Sequence, residues 1–337
     1  MSARTILRVC DINQTQKEWE DLSRLGPLKV FKGNSREELI KGFKNGEYDD
    51  VLAIYRSNAS AVLTGPFDKE LISNLPKSVK YICHNGAGYD NIDIEACSAR
   101  GIQVSNTPIA VNQATADITI FLLLGALRRI HLPYLAVRAG EWRGGNAFQP
   151  GHDPDGKLLG ILGMGGIGRD VAHRAKAFGL KIQYHNRSQL SPDLEQGASY
   201  VSFDQLIKTS DIISLNCSLT KKTEGIIGKK EFDIMKDGVI LINTARGKLI
   251  DEAALVEALD SGKVYSAGLD VFENEPEIHK GLLSNPYVMI LPHIGTSTVE
   301  TERKMELLVI KNIETALKIG SLDTPVPEQR HKCEEVN

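Results

Sequence analysis

The sequence predicts an α/β protein built from two doubly wound parallel sheets, and three observations support this fold class. Short runs of β-forming residues alternate with helical patterns along almost the whole chain. Most of these runs are continuously apolar, which is typical of parallel strands that are covered on both faces. The chain has 337 residues, more than one domain usually holds, so we expect two domains.

The predicted strands fall into two series, separated by a long apolar helix. The strands of the first series begin at residues 6, 28, 51, 79 and 102, and those of the second at residues 158, 181, 211, 239, 265 and 288. Pro108 ends the first series, and the apolar run 118–127 that follows is too short to cross a bilayer, so it predicts a buried helix. A helical pattern over about 299–319 has no strand after it. We therefore expect this last helix to pack on the first domain.

Composition and charge argue against several classes of partner. The formal net charge is −3 and both signs are mixed along the chain, so neither a nucleic-acid partner nor a membrane partner is predicted. The five cysteines form no C-x-x-C pair, which favours a reduced intracellular protein, and no metal site is predicted. The first residues lack the apolar core of a secretory signal. We expect a cytoplasmic protein.

A glycine-rich loop follows the predicted strand 158–162. Gly163, Gly165 and Gly168 form the pattern G-x-G-x-x-G between this strand and a helical pattern, which is the context of a dinucleotide-binding site. In such a site the first glycine permits a tight turn, the second lets the backbone approach a pyrophosphate, and the third lets helix and strand pack closely. The N-terminus of the helix would stabilise the phosphate charge. The alternative is a plain tight turn.

The end of the next predicted strand bears on which form of the cofactor is bound. An NAD site usually has an acidic residue about 20 residues beyond the glycines, where it binds the ribose 2′-hydroxyl. Residues 183–188 contain no acid, and Asn186, Arg187 and Ser188 instead provide two donors and a cation. Because a guanidinium binds phosphate in a bidentate manner, we expect NADP(H). The alternative is that Arg187 is a solvated loop residue and that both NADP(H) and NAD(H) serve.

Three ionisable residues follow three predicted strands of the second series. Arg246, Glu275 and His293 each come just after a strand, and open α/β sheets bind ligands outside the carboxyl ends of their strands. Each residue alone has a structural explanation, as a surface turn, a loop acid or a core histidine. Together they suit hydride transfer to a 2-oxo acid. A histidinium would donate the proton, a carboxylate would orient it, and a guanidinium would grip the substrate carboxylate.

A further turn lies in the first domain. Asn85, Gly86, Ala87 and Gly88 follow a predicted strand, and such a turn can point successive backbone N–H groups at an anion. Together with Arg246 it would complete a binding site for the substrate carboxylate. The alternative is an ordinary turn between a strand and a helix.

Four stretches together resemble the D-2-hydroxyacid dehydrogenase family: GMGGIGR from residue 163, NTARGKLIDEAAL from 243, AGLDVFENEP from 267 and LPHIGTST from 291. The resemblance runs nearly end to end and is greatest for fungal glyoxylate/hydroxypyruvate reductases and D-mandelate dehydrogenase-like members. It implies a Rossmann cofactor domain at 110–299 and a flavodoxin-like substrate domain formed by 1–109 and 300–337. It also implies a homodimer joined just before the glycine loop, where Trp142 would reach the partner's active site.

The resemblance also implies roles for individual residues. Arg246 binds substrate, Glu275 orients His293, and His293 is the acid/base. Asp270 is implied to lie near the nicotinamide carboxamide, and residues 216–220 resemble the family's cofactor-cradling turn, with Ser218 where proline is usual. The implied cofactor-binding residues are Gly163, Met164, Gly165, Gly166, Ile167, Gly168, Arg169, Asn186, Arg187, Ser188, Cys217, Ser218, Thr244, Ala245, Asp270, Gly295 and Thr115. The implied substrate-binding residues are Asn85, Gly86, Ala87, Gly88 and Arg246.

The predicted function is the NADPH-dependent reduction of small 2-oxo acids, glyoxylate and hydroxypyruvate first, to D-2-hydroxy acids. One alternative is a D-mandelate-type dehydrogenase of bulkier 2-oxo acids, and another is a dinucleotide-sensing co-regulator of the same fold. Formate oxidation is less favoured, because the resemblance to formate dehydrogenases would require a glutamine beside the histidine, where this chain has Glu275. Arg56, Ser57 and Tyr89 are candidates for the residues that set substrate size.

Overall fold

The computed structural model describes residues 4–143 and 149–332 of the chain. The chain divides into two compact units: unit 1 is Met1–Val111 with Ser297–Asn337, and unit 2 is Asn112–Thr296. Each unit contains one sheet in which every pair of neighbouring strands is parallel. The predicted fold class, two parallel α/β sheets, is confirmed.

Unit 1 contains a five-stranded sheet. Its strands are β1 (Thr5–Arg8), β2 (Leu28–Val30), β3 (Val51–Ser57), β4 (Tyr81–Asn85) and β5 (Gln103–Ser105). Its helices are α1 (Gln16–Asp21), α2 (Arg36–Lys44), α3 (Ala61–Thr64), α4 (Lys69–Asn74), α5 (Ile94–Ala99) and α14 (Val299–Ile319), with 3₁₀ turns at Leu22–Arg24 and Pro327–Lys332. The strand order β2-β1-β3-β4-β5 is that of flavodoxin-like sheets.

Unit 2 contains a seven-stranded sheet. Its strands are β6 (Leu158–Leu162), β7 (Lys181–His185), β8 (Ser199–Tyr200), β9 (Ile212–Leu215), β10 (Val239–Asn243), β11 (Val264–Leu269) and β12 (Val288–Ile290). Its helices are α6 (Asn112–Arg128), α7 (His131–Arg138), α8 (Gly166–Lys176), α9 (Pro192–Glu195), α10 (Phe203–Thr209), α11 (Lys229–Ile234), α12 (Glu252–Asp260) and α13 (Lys280–Ser284), with a 3₁₀ turn at Gly247–Leu249. The order β12-β11-β10-β9-β6-β7-β8 is the Rossmann order with one strand added beyond β11.

Burial follows the apolar pattern of the sequence. Every residue of β9 and β10 is buried, as expected for strands covered on both faces. The apolar run 118–127 lies within α6, whose Leu122 and Leu123 share a core cluster with Ile240 and Ile242 of β10. The predicted buried helix is therefore confirmed.

Helix α14 packs on the five-stranded sheet, as the sequence predicts. Thr298 caps its N-terminus by accepting a hydrogen bond from Thr301 N–H, and Gly320 ends it with a φ of 77°. Val309 and Ile313 lie in the same core cluster as residues of β1 and β3. The helix therefore completes unit 1 from the far end of the chain.

Three further observations concern a short edge strand, the helices that could cross a membrane, and the cysteines. The two-residue edge strand β8 was not predicted, because it carries no apolar run. Among the described residues, no single helix is long and apolar enough to cross a membrane; α6 and α7 pass that test only when joined, and they are bent by 77°. Cys10, Cys83, Cys97 and Cys217 are free, and Cys333 lies outside the described residues.

Candidate active site

His293 and Glu275 form a hydrogen-bonded pair in unit 2. His293 follows β12, and Glu275 lies in the loop after β11. The distance from His293 Nδ1 to Glu275 Oε2 is 2.7 Å. Because a carboxylate only accepts, Nδ1 is the donor, and Nε2 is the ring nitrogen that can exchange a proton. The side chains of His293 and Glu275 are 40% and 35% exposed, so a reactant can reach both.

The pKa of the Glu275 carboxyl lies below its usual value. Burial opposes ionisation, but the hydrogen bond from His293 and its charge outweigh this effect, with help from the Phe272 N–H and the charge of Arg246. Glu275 is therefore a carboxylate at neutral pH. Its negative charge lies against Nδ1 of the His293 ring.

Buried Asp270 holds the turn that carries His293. Its Oδ1 and Oδ2 accept hydrogen bonds from the N–H groups of Ile294 and Gly295, each 2.8 Å long. Burial raises the pKa of Asp270, although these two hydrogen bonds and the charge of His293 act in the opposite direction. His293 has a φ of 55°, a left-handed conformation that residues other than glycine rarely adopt. Such a backbone persists only where its surroundings restrain it, and Asp270 supplies that restraint.

The loop that carries Glu275 is held from several sides. Glu275 Oε1 accepts from Phe272 N–H over 2.9 Å. Glu252, which is buried at the start of α12, accepts from Glu273 N–H over 2.8 Å, and burial raises the pKa of Glu252. A Cβ at Gly247 would lie 1.8 Å from the carbonyl carbon of Phe272. Only glycine therefore lets the turn after β10 pack against this loop.

Arg246 follows β10, and buried Asn243 fixes its backbone. Asn243 Nδ2 donates to Arg246 O over 2.8 Å, and Asn243 Oδ1 accepts from Ala245 N–H over 3.0 Å. The half-buried guanidinium donates from Nη1 to Ala245 O over 2.8 Å. Since β10, β11 and β12 are neighbours, the structure brings Arg246, Glu275 and His293 to one edge of the seven-stranded sheet.

The glycine loop between β6 and α8 fits the approach of a phosphate group. Gly163 has a φ of 97°, and a Cβ there would lie 2.5 Å from Cys217 N. A Cβ at Gly168 would lie 2.5 Å from Gly163 O, so this glycine allows the close packing of helix and strand. At Gly165, by contrast, no atom of the described residues lies within 4 Å of the Cβ position. Open space beside the N-terminus of an eleven-residue helix is where a pyrophosphate can meet backbone N–H groups.

Asn186 stabilises the glycine loop between β6 and α8 through a hydrogen bond. Its Oδ1 accepts from Met164 N–H over 2.7 Å, so this oxygen has a structural contact that the sequence did not predict. Arg187 and Ser188, which follow it, are exposed. Of the other predicted cofactor-binding residues, Gly166, Ile167 and Arg169 form the first turn of α8, and Ala245 precedes Arg246.

Asn216 adds a polar group that the prediction did not single out. It follows β9, and its Oδ1 accepts from Ser214 Oγ over 2.8 Å. Its buried Nδ2 has no hydrogen-bond partner among the residues that the structure describes, and buried polar atoms are rarely unpaired. Burial raises the pKa of neighbouring Cys217 to about 11, so its thiol is neutral, and Ser218 is exposed. The orphaned donor and the open position at Gly165 together fit a dinucleotide.

Two threonines of helix α6, Thr115 and Thr119, lie beside residues predicted to bind the cofactor. Thr119 Oγ1 lies 2.7 Å from Thr244 Oγ1 and donates to Thr115 O over 2.8 Å. A Cβ at Gly295 would lie 3.1 Å from Asp270 Oδ2 and 3.5 Å from Thr115 Cγ2. The predicted residues Thr115, Thr244, Asp270 and Gly295 are therefore close to one another, and Thr119 is a link that the sequence did not reveal.

The turn 85–88 follows β4 in unit 1, and its carbonyl groups are tied back into the unit. Gly86 O accepts from Thr107 N–H over 3.0 Å, and Ala87 O accepts from Asn106 Nδ2 over 2.7 Å. Gly86 N–H is also used locally, since it donates to Thr107 Oγ1 over 3.0 Å. The N–H groups of Ala87 and Gly88 have no acceptor in the described part of the chain, so they are the donors that this turn offers.

A metal centre is not apparent in the described ranges. Over residues 4–143 and 149–332, no group of three or more His, Cys, Asp or Glu side chains could hold a metal ion.

Residues 120–295 match the family model described as D-isomer specific 2-hydroxyacid dehydrogenase, NAD binding domain. The chain belongs to this family of dehydrogenases. Its sequence is 60% identical over 325 residues to 4-methyl-2-oxopentanoate reductase A of Aspergillus oryzae, which covers 96% of this chain and 98% of the relative. The matched NAD-binding domain means that this D-2-hydroxyacid dehydrogenase uses a nicotinamide dinucleotide.

Two solved structures resemble the dehydrogenase along nearly its whole length. A glyoxylate reductase from Paecilomyes thermophila superposes with a TM-score of 0.95 at 60% identity and covers 98% of this chain and 100% of its own. The NADPH-dependent glyoxylate/hydroxypyruvate reductase of Sinorhizobium meliloti, in complex with NADP and malonate, superposes with a TM-score of 0.86 at 31% identity and covers 97% and 98%. The chain is therefore an enzyme of this family, acting on small 2-oxo or 2-hydroxy acids.

Proposed function

We propose that this dehydrogenase reduces small 2-oxo acids to D-2-hydroxy acids with NADPH. The observation that carries the proposal is the 2.7 Å hydrogen bond between His293 and Glu275, at the sheet edge that also holds the glycine loop. A carboxylate hydrogen-bonded to one ring nitrogen orients the imidazole, so that the other nitrogen can transfer a proton to or from a reactant.

His293 is the acid/base in this proposal. The bound dinucleotide supplies the hydride that adds to the 2-oxo carbon. His293 Nε2 gives a proton to the resulting alkoxide oxygen, while Glu275 stabilises the imidazolium through Nδ1. In the oxidative direction, the neutral imidazole accepts the hydroxyl proton.

Unit 2 is the cofactor domain and unit 1 is the substrate domain in this proposal, with boundaries near 110 and 299. Arg246 binds the substrate carboxylate and polarises the 2-oxo group, because a guanidinium can donate two parallel hydrogen bonds. The turn 85–88 supplies backbone N–H donors from Ala87 and Gly88. Arg169, Asn186, Thr244 and Asp270 are assigned to cofactor binding with the glycine loop, as the family resemblance implies.

The preference for NADPH is supported by the residues after β7. No acid occupies positions 186–188, and exposed Arg187 and Ser188 can bind a 2′-phosphate. The structurally similar reductase from Sinorhizobium meliloti is NADPH-dependent. We expect a lower KM for NADPH than for NADH. Arg187→Ala should raise the KM for NADPH roughly tenfold, because it removes a charge-assisted hydrogen bond to the 2′-phosphate. The KM for NADH should stay nearly unchanged, because NADH has no such phosphate. A wild-type preference for NADH would contradict the assignment.

Glyoxylate and hydroxypyruvate are the first substrates to test, because a similar fungal structure is a glyoxylate reductase. Bulkier 2-oxo acids are a second candidate class, favoured by the 60% identity to a 4-methyl-2-oxopentanoate reductase. Loss of NADPH absorbance should be followed with glyoxylate, hydroxypyruvate, 4-methyl-2-oxopentanoate and 2-oxophenylacetate, and chiral analysis of the product should show the D isomer. No turnover with any of them would contradict the proposal and favour a dinucleotide-sensing role.

A homodimer is part of the proposal. Apolar side chains of α6, α7 and the residues that follow each helix are exposed: Phe121, Ile130, Tyr134, Leu135 and Trp142. Exposed large apolar side chains favour association. Light scattering should give twice the 37.0 kDa mass of one chain, whereas a monomer at micromolar concentration would contradict it. A cytoplasmic location and the lack of nucleic-acid and membrane partners stay predictions from the sequence.

A further inference from the structure

The largest fully buried side chain of the described residues is a charged one, Arg56. It lies on β3 and is 0% exposed. Burial lowers the pKa of Arg56 to about 10, against the opposing influence of Cys10 and Asp90, so the guanidinium is charged at neutral pH. A buried charge is costly unless it is paired and hydrogen-bonded.

Arg56 is paired in register with His84 on β4, and the two side chains are hydrogen-bonded. The distance from Arg56 Nη1 to His84 Nδ1 is 3.2 Å, and Nη1 also donates to Asn91 Oδ1 over 2.8 Å. The Nε and Nη2 groups of Arg56 are buried and have no hydrogen-bond partner among the described residues. Much of the positive charge of Arg56 is therefore left uncompensated by hydrogen bonds.

This contact fixes the proton of His84. A guanidinium only donates, so His84 Nδ1 must accept and carries no hydrogen. The proton is therefore on Nε2, which donates to Gly88 O over 3.0 Å. A Cβ at Gly86 would lie 2.4 Å from the same Nε2, so the ring lies directly against the turn 85–88. A chain of hydrogen bonds thus runs from Arg56 through His84 to the turn.

The chain determines which way the peptide groups of the turn point. His84 holds the carbonyl of Gly88 inward, as Asn106 and Thr107 hold those of Ala87 and Gly86. With the carbonyl oxygens turned into unit 1, the turn offers N–H donors to an anion, as in other backbone anion sites. An adjacent buried cation adds a favourable field for a negative ligand.

We propose that Arg56 and His84 are positioning residues that make the turn 85–88 a carboxylate site. Arg56 fixes the ring and supplies positive charge, and His84 fixes the Gly88 carbonyl. The inference rests on the proposed function, in which this turn binds the substrate carboxylate. It adds that the affinity for 2-oxo acids depends on a cation that does not touch the substrate.

The test compares charge with hydrogen bonding at two positions of the full-length protein. Arg56→Met removes the charge, and Arg56→Lys keeps it. His84→Gln keeps an N–H donor for Gly88 O, and His84→Met removes it. The dissociation constant of oxamate, a non-reducible 2-oxo acid analogue, is measured on the NADPH complex by nucleotide fluorescence, alongside the KM for glyoxylate, kcat and the Kd for NADPH.

Arg56→Met should raise the oxamate Kd and the glyoxylate KM roughly tenfold, about the effect of one unit charge several ångströms away. Arg56→Lys should have a smaller effect, and His84→Gln should bind oxamate more tightly than His84→Met. The Kd for NADPH should not change in any variant, and kcat should change less than KM. This split separates carboxylate binding from general loss of structure.

Unchanged oxamate affinity in folded Arg56→Met would overturn the inference. If that variant does not fold, equal affinity in His84→Gln and His84→Met would overturn it instead. Failure of the proposed function has a different signature, because the wild-type protein would then bind NADPH yet reduce no 2-oxo acid.

Discussion

The carboxyl edges of the two sheets are built in different ways. At the edge of the seven-stranded sheet, the proposed reactive groups are exposed side chains, His293 and Glu275, held by buried polar groups whose hydrogen bonds are made. At the edge of the five-stranded sheet, the groups on offer are the backbone N–H donors of half-buried Ala87 and Gly88, and the buried cation behind them, Arg56, keeps two nitrogens without a hydrogen-bond partner among the described residues. The first edge is suited to proton transfer and the second to binding an anion.

This difference predicts which kinetic constant a substitution should change at each edge. Proton transfer requires one side chain with the right charge, so a change at His293 should act on kcat. Anion binding by a backbone turn is spread over several peptide groups, so changes behind it should act on KM by smaller factors. The two edges are therefore distinguishable by kinetics.

The largest effect is expected at His293. His293→Asn removes the proton donor while suiting the left-handed φ of 55°, which Asn tolerates better than most residues. General acid catalysis typically contributes about 10²–10⁴-fold, so kcat should fall within that range, while NADPH binding, measured by fluorescence, should be retained.

The matched control for this variant is His173→Gln, an exposed histidine on α8. It should leave kcat unchanged. If His293→Asn kept more than about a tenth of the wild-type kcat, the first edge would not work by proton transfer from this side chain.

A smaller effect is expected at Glu252. Glu252→Ala removes the acceptor of Glu273 N–H, and the loss of one hydrogen bond typically costs about 0.5–1.5 kcal/mol. The melting temperature should fall by roughly one to three degrees, and kcat should fall a few-fold because the loop carrying Glu275 loosens. Glu252→Gln keeps an acceptor and should recover most of both losses. Identical kcat values in the alanine variant and wild type would show that the loop does not need this contact.

The sequence was sufficient to locate most strands and to place Arg246, Glu275 and His293 after three of them. Continuous apolar runs revealed β9 and β10 because buried parallel strands have few polar residues. The places of Arg246, Glu275 and His293 followed from the rule that ligands bind at the carboxyl ends of strands. The fold class is confirmed, and the roles of these side chains stay predictions.

The supports of the site could not be read from the sequence. Glu252 meets the backbone of Glu273 only because α12 and the loop after β11 pack together, and no local pattern marks such a contact. Arg56 and His84 meet through the register of β3 and β4, which depends on the whole sheet. The sequence marks Arg56 only as a candidate for setting substrate size, because an arginine is rarely fully buried, whereas in the structure this side chain is 0% exposed.

The most direct test of the account is the pH dependence of NADPH oxidation by a 2-oxo acid in wild type and Glu275→Gln. Glutamine keeps the shape and the acceptor for Phe272 N–H but removes the charge that stabilises the imidazolium. Because the pKa of Glu275 is held below its usual value, its carboxylate persists in wild type as the pH falls, until that lowered pKa is reached. Reduction needs the protonated imidazole, so the pH above which the rate falls to half should be lower in the variant, which lacks the neighbouring negative charge. The same midpoint in both proteins would show that Glu275 does not support proton transfer by His293.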